Sequence, residues 1–130
     1  MPDWTNTVIY KIRCKDETIS NMFIGYTTNL KKRRYAITAE YKSECKRSGH
    51  LLTPDMTSPY YVYQFIRHNG GIDNWTVEEV CKTPCETEDN AQKIKTRYIS
   101  ILGGNLNQYR DRTDPTQLST DVLPRIIYLN

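Results

Sequence analysis

Thr7-Val8-Ile9-Tyr10-Lys11-Ile12-Arg13-Cys14 and Asn21-Met22-Phe23-Ile24-Gly25-Tyr26-Thr27 are the two stretches whose reading decides the fold. The first alternates, with Val8, Tyr10 and Ile12 on one face and Ile9 and Lys11 on the other. That period of two is the signature of a strand. The second stretch reads as another strand, and the link between them, Lys15 to Ser20, is short and polar. Two such runs joined by so short a link predict an antiparallel hairpin.

Working outward, Thr28 or Asn29 caps a helix running to about Arg47 and ended by Ser48-Gly49. Leu30, Ile37, Tyr41 and Cys45 recur on it at helical spacing and are expected to form its buried side. After a loop over 50–57, Ser58-Pro59 is expected to open a second helix, serine as cap and proline in the first turn. Tyr61, Tyr63, Phe65 and Ile66 give it apolar surface, and Asn69-Gly70-Gly71 ends it. Trp75 to Val80 predicts a third strand. Glu88 to Leu102 predicts a third helix that buries Ala91, Ile94, Tyr98, Ile99 and Leu102, with Gly103-Gly104 as its stop.

The chain of 130 residues is of a size for one domain. Hydrophobic residues make up 38% and charged residues 25%, and no apolar run approaches the length that spans a bilayer. Met1 to Asn6 lacks the basic head and apolar core of a signal peptide. An intracellular, reducing location, cytoplasmic or nuclear, is therefore expected, and with it reduced thiols at Cys14, Cys45, Cys81 and Cys85. Cys14 and Cys45 read as small buried hydrophobes. The Cys81-x3-Cys85 spacing has no matching second pair, which argues against a zinc site with His50 or His68.

The net charge of +3 is modest, so the placement of the charge carries more than its total. Lys31-Lys32-Arg33-Arg34 is a run of four cations, and Lys11, Arg13 and Lys15 lie on or near the first strand. Such a run is either a solvated helix face or a phosphate-facing patch. Beyond residue 108 the chain is polar and turn-rich before it finishes in Arg125-Ile126-Ile127-Tyr128-Leu129. Residues 1–108 are thus read as the domain, and 109–130 as an extension that docks on it or on a partner protein.

The order strand, strand, helix, helix, strand, helix, with these residues in it, resembles the GIY-YIG nuclease superfamily. Val8-Ile9-Tyr10 stands where that family has its first tripeptide and Phe23-Ile24-Gly25 where it has its second. Tyr26 through Arg33 looks like the segment that delivers the family's arginine. Asn69 through Trp75 is similar to a signature of members from large DNA viruses and phages, and Ala91 through Asn107 to the closing helix with its Leu-Asn end. The resemblance covers roughly residues 7 to 108. It implies an α+β fold with a small three-stranded antiparallel sheet flanked by helices. It also implies metal-assisted hydrolysis of a phosphodiester, in which one glutamate holds magnesium, a tyrosine helps activate water and an arginine steadies the phosphate.

Carried over residue by residue, Tyr10 matches the water-activating tyrosine and Arg33 the arginine. A strand tyrosine and a solvated helix arginine are their plain structural readings. Phe23 replaces the second tyrosine and removes a hydroxyl. Ile37 stands where many members have a histidine. Lys95 stands where the metal glutamate is implied, and its ammonium has no lone pair to give a metal. Gly25 and Asn107 are assigned structural roles. Lys11, Lys31, Lys32, Arg34 and Lys95 are the candidate nucleic-acid-binding residues.

Three readings follow. The first is a degenerate nuclease-fold domain, kept for binding nucleic acid or as an interaction module, with no cofactor. The second is an active magnesium-dependent endonuclease acting on DNA through Tyr10 and Arg33. The third is a structural protein, such as a minor component of a viral particle, whose C-terminal end docks on a neighbour.

Overall fold

The structure, a computed structural model, describes residues 3–107 of the chain. The expected docking of the tail, with Arg125 to Leu129, lies outside the described residues. The fold is α+β: a three-stranded antiparallel sheet with three helices. Strands β1 (Val8–Cys14), β2 (Met22–Thr27) and β3 (Trp75–Lys82) lie in the order β2-β1-β3, so the strand that opens the domain is the central one. Helix α1 (Leu30–Ser48) follows the hairpin, α2 (Tyr61–His68) precedes β3, and α3 (Glu88–Leu102) follows it. None of these helices is long and apolar enough to cross a membrane.

The hairpin register pairs Ile12 with Phe23, Tyr10 with Gly25 and Ile9 with Tyr26. Paired residues share a face of the sheet and successive residues alternate. Tyr10, Ile12 and Cys14 therefore point to one side. There they join Ile37 of α1, Val62, Tyr63 and Ile66 of α2, Trp75 and Leu106 in the main core. Ile9 and Ile24, on the other side, are also fully buried. The centre of the sheet is thus covered on both faces, where a half-exposed strand would leave one face to water. On the β3 side the ladder jumps from Ile9↔Cys81 to Tyr10↔Glu79, a bulge that skips Val80. A bulge bends the strand and re-aims its side chains, and this one lies beside Tyr10.

Local chemistry accounts for the helix ends. Asn29 caps α1, its side chain accepting from the Lys32 backbone N–H at 3.0 Å. Thr87 caps α3, and Gly103 closes it in the left-handed conformation (φ 74°), which glycine adopts without a Cβ clash. The second helix begins later than its Ser-Pro signal predicts. The Ser58 hydroxyl accepts from the Tyr60 N–H at 3.0 Å and the Ser58 carbonyl from the Tyr61 N–H at 3.1 Å, closing a turn before regular helix starts at Tyr61.

Buried faces also depart from the periodicity. Of the expected apolar side of α1 only Ile37 is fully buried. Leu30, Tyr41 and Cys45 are half-buried, whereas Glu44 and Ser48 are buried. Glu44 is tolerated because Gln64 of α2 donates to one of its oxygens at 2.7 Å and Arg47 pairs with the other at 2.9 Å. A buried charge with such partners avoids most of its desolvation cost. On α3 only Ala91 is fully buried, and Ile94, Tyr98, Ile99 and Leu102 are half-buried.

Candidate functional site

Tyr10 is the hub of the site, 2% exposed in the middle of the central strand. Its phenol is housed by the residue across the ladder. A Cβ added to Gly25 would collide with the ring Cζ and hydroxyl of Tyr10 and lie 2.9 Å from Cε2. Gly25 is therefore a slot for the phenol. Phe23, two residues back on the same face, packs its ring 6.4 Å from the Tyr10 ring and fills space without adding a hydroxyl.

Helix α1 lays Arg33 over this slot. The Arg33 Nε donates to the Tyr10 hydroxyl at 3.2 Å. Its two terminal nitrogens donate to Glu40, Nη1 to Oε2 at 3.0 Å and Nη2 to Oε1 at 3.4 Å. Tyr63 of α2 donates its hydroxyl to the same Glu40 Oε1 at 2.5 Å. The result is a chain of four side chains, Tyr10, Arg33, Glu40 and Tyr63, drawn from β1, α1 and α2. The phenols are buried, while the Arg33 and Glu40 side chains remain 30% and 43% exposed. Arg33, Ile37 and Glu40 are spaced i, i+4 and i+7, one stripe of the helix. Ile37, the middle member, is in the core at 1% exposure and cannot hand a proton to anything in solvent.

Burial raises the pKa of Tyr10, against the lowering pull of the Arg33 charge. Tyr10 is therefore a neutral phenol at ordinary pH, an oxygen that accepts from Arg33 rather than a phenolate base. Burial, followed by its bond to Glu40, raises Tyr63 as well. Both phenols keep their protons, so neither adds a charge to the cluster.

Lys95 belongs to a second cluster. Its ammonium lies over the ring of Tyr26, 5.7 Å from the centroid. Tyr26 pairs with Ile9 and so projects from the sheet face opposite to Tyr10. Its hydroxyl donates to Glu88 at 2.7 Å. Glu88 and Lys95, two turns apart on α3, thus bracket one aromatic ring. Lys95 stands where the resemblance implies a glutamate near Arg33, but its aromatic partner is Tyr26 and the charged partner of Arg33 is Glu40. Burial lowers the Lys95 pKa.

The remaining cations are placed unevenly. Lys31 and Lys32 are exposed in the first turn of α1. Arg34 is exposed but anchored, its Nε donating to the Val77 carbonyl of β3 at 3.1 Å. Lys11 lies 3.8 Å from Glu78, which Arg13 also engages at 2.9 Å, so its charge is already answered within the sheet. Glu79, the ladder partner of Tyr10, is exposed. Asn107 has a purely architectural geometry. Its side-chain oxygen accepts from the Ile24 N–H and its amide donates to the Ile24 carbonyl, both at 2.8 Å, as a neighbouring strand would.

This donor set does not fit a divalent metal. Both oxygens of Glu40 are taken by Arg33 and Tyr63, and an ammonium occupies position 95. Among the described residues no group of three or more His, Cys, Asp or Glu side chains converges. That includes the cysteines: Cys81 donates to the Tyr98 hydroxyl at 3.3 Å and Cys85 to the Thr83 carbonyl at 3.1 Å.

Two participants escaped the sequence reading, Glu40 and Tyr63. The seven-residue spacing of Arg33 and Glu40 on a long helix was the available signal for the first. Tyr63 reads only as apolar surface on a short helix, and its role depends on how α2 docks on α1. Comparison with family models, curated proteins and solved structures returns no match.

Proposed function

We propose that this chain is a nuclease-fold protein of the GIY-YIG type that has lost efficient cleavage and binds nucleic-acid backbone. What carries the reading is Lys95: a half-buried cation, held over Tyr26, stands at the position where the resemblance implies a metal-binding glutamate. A +1 group there opposes a metal cation. Two unit charges ~4 Å apart at an effective dielectric of ~20 interact by about 4 kcal/mol. On the other face of the sheet, the loss of a hydroxyl at Phe23, the burial of Ile37 and the neutral phenol of Tyr10 remove the proton-moving groups around Arg33.

The binding half of the reading rests on α1. Its first turn carries Lys31 and Lys32 and no acidic residue. Cations at the positive end of a helix destabilise it by roughly 0.3–1 kcal/mol, and a bound phosphate relieves that repulsion. Arg34 continues the same positive surface, while the charge of Arg33 is paired with Glu40.

Plasmid nicking with magnesium or manganese, together with binding of a short DNA duplex across a salt series, tests the proposal. The expected result is binding that weakens steeply with salt and no cleavage above background. Robust cleavage that disappears in Tyr10→Phe overturns it in favour of an active endonuclease, the reading that Glu40 beside Tyr10 would then serve. Absence of DNA binding at low salt overturns it in favour of a structural or protein-interaction role.

A further inference from the structure

We infer that Glu40 is a built-in competitor for the Arg33 guanidinium, so that a nucleic-acid phosphate enters this site only by displacing the carboxylate. The inference rests on the binding reading above and concerns the regulation of that same site. A guanidinium offers two paired edges to an oxyanion, one through its two terminal nitrogens and one through Nε and its neighbour. In Arg33 both are engaged: Glu40 takes the terminal pair and the Tyr10 hydroxyl takes Nε. A carboxylate presents two oxygens on one side of a plane, the arrangement a phosphate presents to the same fork.

Glu40 is also held from behind. Tyr63 donates to its Oε1, and Tyr63 is itself buried at 5% exposure in the core with Ile37 and Ile66. Yet the Glu40 side chain is 43% exposed, so an incoming anion reaches the pair from solvent without disturbing the core. Exchange of one anion for another at Arg33 releases no net counterion at that position. In the wild-type protein Arg33 therefore adds little to the salt dependence of binding, which Lys31 and Lys32 would carry.

Titration of a short labelled DNA duplex against wild type, Glu40→Gln and the double variant Glu40→Gln/Arg33→Gln, each across a salt series, tests this. Glutamine keeps an oxygen to accept from Tyr63 but carries no charge. Glu40→Gln is expected to bind roughly 2- to 5-fold tighter, the range a partly exposed charge pair carries. Its plot of log affinity against log salt should steepen by about 0.9, one added phosphate contact. Arg33→Gln in that background should remove both gains. Tyr63→Phe, which loosens Glu40 without touching its charge, should tighten binding in the same direction by less, and serves as the second variant if Glu40→Gln melts early. If wild type binds DNA and neither single variant binds tighter, the competitor role fails and the binding reading stands. If no variant binds DNA at low salt, both fail together.

Discussion

Gly25 shows how much one missing Cβ can decide. Tyr10 can lie flat against the hairpin only because its ladder partner has no side chain, so Gly25→Ala should overpack the centre of the sheet. We expect a loss of about 1–3 kcal/mol, read by denaturant unfolding, and smaller in the Gly25→Ala/Tyr10→Ala double variant than the two single losses combined. Lys95 poses the opposite case, a charge where an apolar group would suffice. Burial disfavours its ammonium, so the unfolded chain binds that proton more tightly than the folded one. On that account stability rises with pH as the ordinary lysine value of 10.5 is approached from below. Lys95→Met should remove that slope and raise stability at neutral pH, since an apolar side chain in that half-buried place carries no desolvation penalty. Unfolding titrations at a series of pH values check both statements.

At the scale of elements, two polar devices hold what apolar periodicity does not. Asn107 stands in for a fourth strand along the edge of β2, satisfying the N–H and carbonyl of Ile24 at once. Asn107→Ala should leave both groups unpaired beside a buried residue and cost about 1–3 kcal/mol. Amide exchange at Ile24 should accelerate more than at Ile12 of the central strand. Glu44 does similar work between α1 and α2 through Gln64 and Arg47. These devices mark where the sequence was legible and where it was not. The first strand follows from alternation and the end of α3 from its glycine stop, because those signals are local. The buried face of α1 does not, since Glu44 and Ser48 are polar and gain their burial only from what α2 brings to them. Helix α2 starts two residues after Pro59, following a turn in which Ser58 accepts from the Tyr60 and Tyr61 N–H groups.

Across the whole molecule, buried phenols couple stability to alkaline pH. Tyr10, Tyr26 and Tyr63 all have their pKa raised, each by burial first. In the unfolded chain they would lose their protons near 10, whereas in the fold they keep them. Their contribution is therefore fully present below about pH 10 and is lost as pH rises above it. We expect an unfolding transition in that alkaline range, monitored by tyrosine absorbance and circular dichroism together. Tyr63→Phe should shallow it by one phenol, and should lower stability at neutral pH by about 1 kcal/mol through the lost bond to Glu40.

The amino-acid sequence by itself determined the hairpin and the order of strands and helices, while the α+β sheet and the candidacy of Tyr10 and Arg33 were what the family resemblance implied. Strand alternation, caps and glycine stops act between residues a few positions apart, so they can be read along the chain. Only the tertiary structure decided what those two residues touch. Arg33 meets Glu40 and Tyr10, and Lys95 meets Tyr26 on the other side of the sheet. Those partnerships depend on the face each strand turns to each helix and on the angle at which α2 and α3 dock. Packing of the whole core fixes these, since a charged side chain pairs with whatever the fold delivers within its reach.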